Sequence, residues 1–236
     1  MVTARKRTIA WQGIDDENRH DIANVQLDQD RLTATGTSRT PDYQLRYTLR
    51  TGPSWVTRSL DVSVAGAGWT RDLALVRDSA GQWRSEGRAS GIPVTADGSP
   101  LVIDGSDTEG GDWSATGGTQ PGIVDERSLA GADDCDLGLC PVTNTMPMLR
   151  TVLGPAMVSG KQPGPEVNFV MAWVEVPTLR VIRSEQIYQL RRTAVDGTSV
   201  VRYIGLHRSF EGDLEVDLDG LVINYPELAR RVPAPG

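Results

Sequence analysis

The sequence predicts an all-β protein, antiparallel, with hairpin connections and little helix. Three observations carry this. Polar and apolar residues alternate with a period of two over much of the chain, the pattern of a strand with one buried face. Short Asp- or Gly-containing segments of hairpin length separate these runs. One further run is apolar on both faces, which a strand with water on one side does not tolerate.

The alternation is clearest in YQLRYTLR, where Tyr43, Leu45, Tyr47 and Leu49 share one face and Gln44, Arg46, Thr48 and Arg50 the other. SLDVSV repeats it with Leu60, Val62 and Val64 inward, and DLALV, VVRYIGL and DLEVDLDGLVI continue it. LDQDRL, RDSAGQW, VDGTSV and DLDGLV read as the turns between them. The count comes to roughly eleven strand candidates. The best helical candidate is PELARR at 226–231, with Pro226 at the first helical position.

The two-faced run is VNFVMAWVEV at 167–176. Phe169, Met171 and Trp173 point one way; Val170, Ala172, Val174 and Val176 point the other. Either it is a central strand packed between two layers, or its concave side forms an apolar cavity.

The chain of 236 residues reads as one domain, 1–236. Its length suffices to bury a core without metal or disulfide. Residues 87–131, rich in Gly, Ser, Thr and Asp, read as an inserted loop, with Trp113 able to dock on the body as a lid. The formal net charge is −7, and beyond Arg5-Lys6-Arg7 no basic cluster stands out, which argues against nucleic acid and anionic membranes as partners. The first twelve residues lack the apolar core of a secretory signal, and no run of about 18 apolar residues suits a membrane span. The expectation is a cytoplasmic location, with reduced cysteines.

DDCDLGLCPVTNTMPMLR at 133–150 is the densest stretch for chemistry. As a metal site it fails: Cys135 and Cys140 lack the second close pair that structural zinc uses, and the acidic spacing is not that of a calcium loop. No metal or cofactor is expected. A Cys135–Cys140 disulfide would need α-carbons within about 7 Å. A cysteine nucleophile would have to borrow His20 or His207, and no nucleophile elbow, phosphate loop or dinucleotide fingerprint is present. The stretch reads best as a rigid polar corner. Pro141 and Pro147 remove backbone donors, Thr143, Asn144 and Thr145 bond nearby backbone in irregular turns, and Arg150 reaches a carboxylate bidentately.

These residues resemble the signature of the putative glycolipid-binding protein family, a bacterial family with the pattern D-x-D-L-x-x-x-P-x-T-N-T-x-P-x-x-R. Asp134, Asp136, Leu137, Pro141, Thr143, Asn144, Thr145, Pro147 and Arg150 match it. Tyr47, Trp55 and Arg58 match an N-terminal strand pair, and GQWRSEG, with Trp83, matches a G-x-W turn. Pro177, Leu179, Gln186 and Tyr188 match a P-x-L…Q-x-Y segment. VDLDGLVINYPELARR matches the C-terminal D-x-D-G-L-V-x-x-Y-P…R through Asp217, Gly220, Tyr225 and Pro226. The long insertion departs from the family, which runs quickly from the G-x-W turn to the D-x-D segment.

The resemblance implies a single large, strongly curved antiparallel sheet, a half-barrel with meander-type hairpin connections, similar to periplasmic lipoprotein carriers. The two-faced apolar strand around Trp173, with a rim of Trp55, Arg58, Trp83 and Tyr188, points to non-catalytic binding of a lipid or glycolipid-like amphiphile in an apolar concavity. Trp55, Arg58, Trp83, Trp173, Gln186 and Tyr188 are the expected ligand-binding residues, Arg58 as partner of a phosphate or carboxylate head. Two alternatives remain open. An enzyme on a small hydrophobic substrate would use Asp134, Asp136 or Asp217 as acid or base. An assembly protein would use the sheet edge or the 87–131 loop.

Overall fold

The computed structural model describes residues 4–99, 101, 120–154 and 162–235. Its strands form one 15-stranded sheet. The first meander is β1 (Arg5–Gly13), β2 (His20–Leu27), β3 (Leu32–Arg39), β4 (Tyr43–Thr51), β5 (Thr57–Gly66), β6 (Trp69–Arg77) and β7 (Trp83–Ser90). Two short strands follow, β8 (Gly122–Ile123) and β9 (Asp134–Leu137). The second meander is β10 (Val167–Val174), β11 (Arg180–Thr193), β12 (Ser199–Gly205), β13 (Phe210–Val216), β14 (Val222–Tyr225) and β15 (Ala229–Val232). Each meander pairs sequence neighbours antiparallel, and β1 and β15 join the two, Ala10 opposite Val232. Among the described residues only β8 on β11 and β9 on β10 run parallel.

The predicted alternation is what rolls this sheet around a core. Leu45, Tyr47 and Leu49 of β4 and Leu60, Val62 and Val64 of β5 are buried, while Arg46 and Arg50 lie outside. The four predicted turns join β2 to β3, β6 to β7, β11 to β12 and β13 to β14. In the last, Gly220 has φ 72, a backbone region that glycine enters without steric cost.

The segment 120–137 ties the two regions of the sheet together. Ile123 N–H donates to Ser85 Oγ (3.0 Å), Trp83 Nε1 to the Ala132 carbonyl (2.9 Å) and Thr57 N–H to the Asp133 carbonyl (3.1 Å). The expected loop bounds of 87–131 are therefore too wide. Gly87–Ser90 belong to β7, Gly122–Ile123 are β8, and Leu129 is core. The signal that misled is composition: Gly and Ser here serve close backbone approach, as where Gly87 abuts Pro121. Trp113 lies outside the described residues.

Strand β10 answers the two-faced run. Ala172 and Val174 pack with the first meander in the main core. Phe169 packs against a second cluster made by Tyr188, Leu190, Val201, Tyr203, Leu214 and neighbours. The strand is thus sandwiched between two apolar layers, and at Trp173 its second face also borders a cavity.

Two local expectations are corrected. PELARR is no helix: Pro226–Leu228 form a turn with Glu227 at φ 63, and Ala229–Val232 are β15, paired on both sides. Ladder bonds to β1 and β14 outweigh local helix propensity. The triplet region is not an irregular turn but a run of short helical turns, Pro141–Asn144, Thr145–Pro147 and Met148–Val152. Pro141 opens the first piece, where a missing N–H costs nothing, and Pro147 closes the second. No helix among the described residues is long and apolar enough to cross a membrane.

Candidate functional site

A cavity of about 640 Å³ opens beside the second face of β10. Trp173, Tyr203, Phe210 and Tyr225 give it aromatic walls, and Asp136, Asn144 and His207 line it as polar groups. Register explains the gathering. Trp173 lies opposite Asp136 of β9, Gln186 opposite Gly205, and Tyr188 opposite Tyr203. Tyr203 packs its ring on those of Tyr188, Phe210 and Tyr225, with centroids 5.1–5.9 Å apart.

Behind the wall is a closed hydrogen-bond chain. Asn144 Nδ2 donates to Tyr188 Oη (2.8 Å), and Tyr188 Oη donates to Gln186 Oε1 (2.9 Å). Gln186 Nε2 donates to Asp136 Oδ2 (2.6 Å), and Thr143 Oγ1 donates to Asp136 Oδ1 (2.7 Å). Burial pushes the Asp136 carboxyl above the usual carboxylate range, opposed by these two hydrogen bonds and by the positive charge of Arg208. Burial also lifts the Tyr188 phenol far up.

His207 sits in the turn between β12 and β13, its ring 4.6 Å from that of Trp173. Its Nδ1 lies 2.6 Å from Ser184 Oγ, and its buried Nε2 has no hydrogen-bond partner. Burial, helped by Arg208, lowers the imidazole to about 4, so the ring is neutral at pH 7. Ser184 is itself 1% exposed, under the wall rather than on it.

Of the six expected ligand-binding residues, Trp173 lines this cavity and the others do not. Gln186 and Tyr188 are fully buried and bonded to each other, so they hold Asp136 and Asn144 in place instead of meeting a ligand. Trp83 is core, its indole N–H taken by Ala132. Trp55 occupies a turn at φ 63 and packs on the main core, and Arg58 is exposed. Alternation alone could not tell which end of the sheet carries the opening.

The motif residues divide into braces and lining. Arg150 holds Asp134 by two bonds, 3.0 and 2.5 Å. Thr145 Oγ1 donates to the Gly220 carbonyl (3.1 Å), and Asp217 accepts from Arg7 (3.2 Å) and Arg231 (2.8 Å). Pro147 offers its carbonyl to Thr151. Asp136, Pro141, Asn144, Tyr225 and Pro226, by contrast, border cavities. Sequence reasoning gave them structural roles, Asp136 alone being also an acid or base in the enzyme alternative, and did not assign His207, Tyr203 or Phe210 to the binding site. A usable signal existed: Ser184, Gln186 and Tyr188 place polar groups on an inward face, which demands a bonded network nearby.

Cys135 and Cys140 are free thiols, and burial pushes Cys140 up to about 12, which makes it a poor nucleophile. Among the described residues no group of three or more His, Cys, Asp or Glu could hold a metal ion.

Residues 8–231 match the profile described as putative glycolipid-binding. The chain belongs to that family. The glycolipid-binding profile thus spans both meanders and the joining segment. A solved structure, that of a DUF1089 family protein from Pseudomonas aeruginosa, is similar over 90% of this chain and 92% of its own, at 24% identity and a TM-score of 0.56. At that identity the likeness concerns the fold. No curated protein matches the chain.

Proposed function

We propose that the chain binds one amphiphilic small molecule, lipid or glycolipid-like, in the cavity beside Trp173 and releases it unchanged. The single observation that carries this is the cavity itself. Its volume of about 640 Å³ falls inside the range of about 300–1,000 Å³ typical of small-molecule sites. Its walls combine aromatic faces with polar and charged groups, a mixed lining that suits an amphiphile. The family description points the same way.

Two of the three carboxylates an enzyme would use, Asp134 and Asp217, are bound by Arg150 and Arg231, which favours a non-catalytic role; Asp136, raised by burial, borders the cavity and is held by Thr143 and Gln186. Ser184 is buried, and its histidine contact is made through Nδ1 with no third group on Nε2.

The test is mass spectrometry of organic extracts of the purified protein, followed by delipidation and re-binding. One dominant amphiphile that re-binds one-to-one supports the proposal. A clean extract with no re-binding from a lipid panel rejects it. Trp173→Ala sharpens the result: the proposal requires it to weaken binding while the variant stays folded.

A further inference from the structure

The charge of the cavity lining is one-sided. Asp15, Asp16, Asp42, Asp136 and Glu227 contribute carboxylates; Arg19 and Arg208 contribute guanidiniums. Arg19 is already bound to Asp15 and to Asp21 and donates to the Leu228 carbonyl. Arg208 is exposed and has no ion-pair partner among the described residues. His207 adds no charge at neutral pH.

Asp136 is the deepest of the five, at 7% exposure. Its two direct donors, Thr143 and Gln186, are neutral, and the positive charge of Arg208 acts on it only from a distance, without a direct bond. Each carboxylate oxygen keeps a second lone pair, and a carboxylate can only accept. His207 also borders the cavity, and its buried Nε2 has no partner among the described residues. Beside a protein wall the effective dielectric is lower than in bulk water, so a second negative charge beside Asp136 would be repelled several-fold more strongly than in bulk solvent.

We infer that the polar end of the bound amphiphile carries no negative charge and donates hydrogen bonds: a hydroxyl-rich or amine-bearing head, and not a phosphate, sulfate or carboxylate. The inference rests on the amphiphile reading of the cavity. It assigns Asp136 as the acceptor of the head and Trp173 with His207 as the rings beside it. It also reverses the expectation that an arginine such as Arg58 grips an anionic head.

The experiment titrates the full chain at neutral pH and low salt with three probes of one tail length, each below its micelle concentration: dodecyl maltoside, dodecylammonium and dodecyl phosphate. Calorimetry reads stoichiometry and affinity. The maltoside, the ammonium or both should bind one per chain, at least about tenfold tighter than the phosphate. Which of the two binds more tightly separates hydroxyl from amine recognition. Asp136→Asn should narrow the gap to the phosphate. Added salt should narrow it in the unaltered protein too, which keeps the test independent of how that variant folds. Dodecyl phosphate binding as tightly as the others overturns the inference and leaves the amphiphile reading intact. Binding of none of the three overturns both.

Discussion

Arg150 grips Asp134 with both terminal guanidinium nitrogens, and Asp134 is completely buried while the Arg150 side chain is 15% exposed. Arg150 also lies over the Phe169 ring, 5.5 Å from its centroid, so one side chain links β9, the helical run and β10. Burial raises the Asp134 carboxyl, and Arg150 only partly offsets this. Removing Arg150 would leave a buried charge uncompensated. Arg150→Met should therefore destabilise the fold by about 3–5 kcal/mol, and Asp134→Asn in the same background should recover part of the loss. Guanidinium chloride denaturation of the three proteins checks it; equal losses in single and double variants would contradict the argument.

The chain from Asn144 to Asp136 should behave as one unit. Asn144→Ala leaves Tyr188 Oη without its donor in a buried site and should cost about 1–3 kcal/mol. Tyr188→Phe removes the next bond in the same chain, so the double variant should lose less than the sum of the singles. Strict additivity in urea melts would show that the bonds act separately.

His207 should imprint a pH dependence on stability. Its folded value is near 4 against an ordinary 6.5, so between those pH values the unfolded chain holds a proton that the folded chain does not. The stabilisation from the neutral ring is full above about pH 6.5 and is lost as pH falls toward 4. Asp136, raised by burial, works in the opposite direction: its ionisation costs stability, and that cost is relieved as pH falls. The difference in urea midpoint between the unaltered chain and His207→Gln isolates the histidine, and it should change across that window. A constant difference from pH 7 to 4 would refute this.

Gly220→Ala places a β-carbon at φ 72 and against Leu149. It should cost about 1–3 kcal/mol, measured as a shift in thermal midpoint. A neutral effect would mean that the turn relaxes out of the left-handed region.

Arg58→Ala should change neither stability, beyond about 0.5 kcal/mol, nor ligand affinity, because Arg58 is exposed and does not line the cavity. A loss of binding there, with the fold intact, would move the site to the other end of the sheet.

The fold was legible because burial in a sheet writes itself at every second residue, as in Leu60, Val62 and Val64, and because Asp and Gly mark hairpins such as 217–221. What misled were residues whose environment comes from distant strands. Ala229–Val232 looked helical because neither β1 nor β14 can be seen from PELARR. Trp83 and Trp173 look alike in sequence; one finds the Ala132 carbonyl and the other borders open space, a difference set by segment 120–137 and by β9. Gln186 and Tyr188 belonged to the right neighbourhood but lie one layer behind the surface that a ligand would meet.

The junction of the two meanders also sets an order of events. Each meander can grow hairpin by hairpin, closing short loops as it goes. The junction cannot: Trp11 of β1 donates its indole N–H to Val222, 211 positions along the chain, and β1 finds β15 only when the last strand exists. Closing so long a loop carries the largest entropic penalty in the molecule, so this seam, although it lies mid-sheet, should be the slowest contact to form. A ribosome-bound chain that has emerged only through β14 would hold two finished half-sheets with unpaired strands facing one another, the moment at which a stray strand from a neighbouring chain could most easily take β15's place.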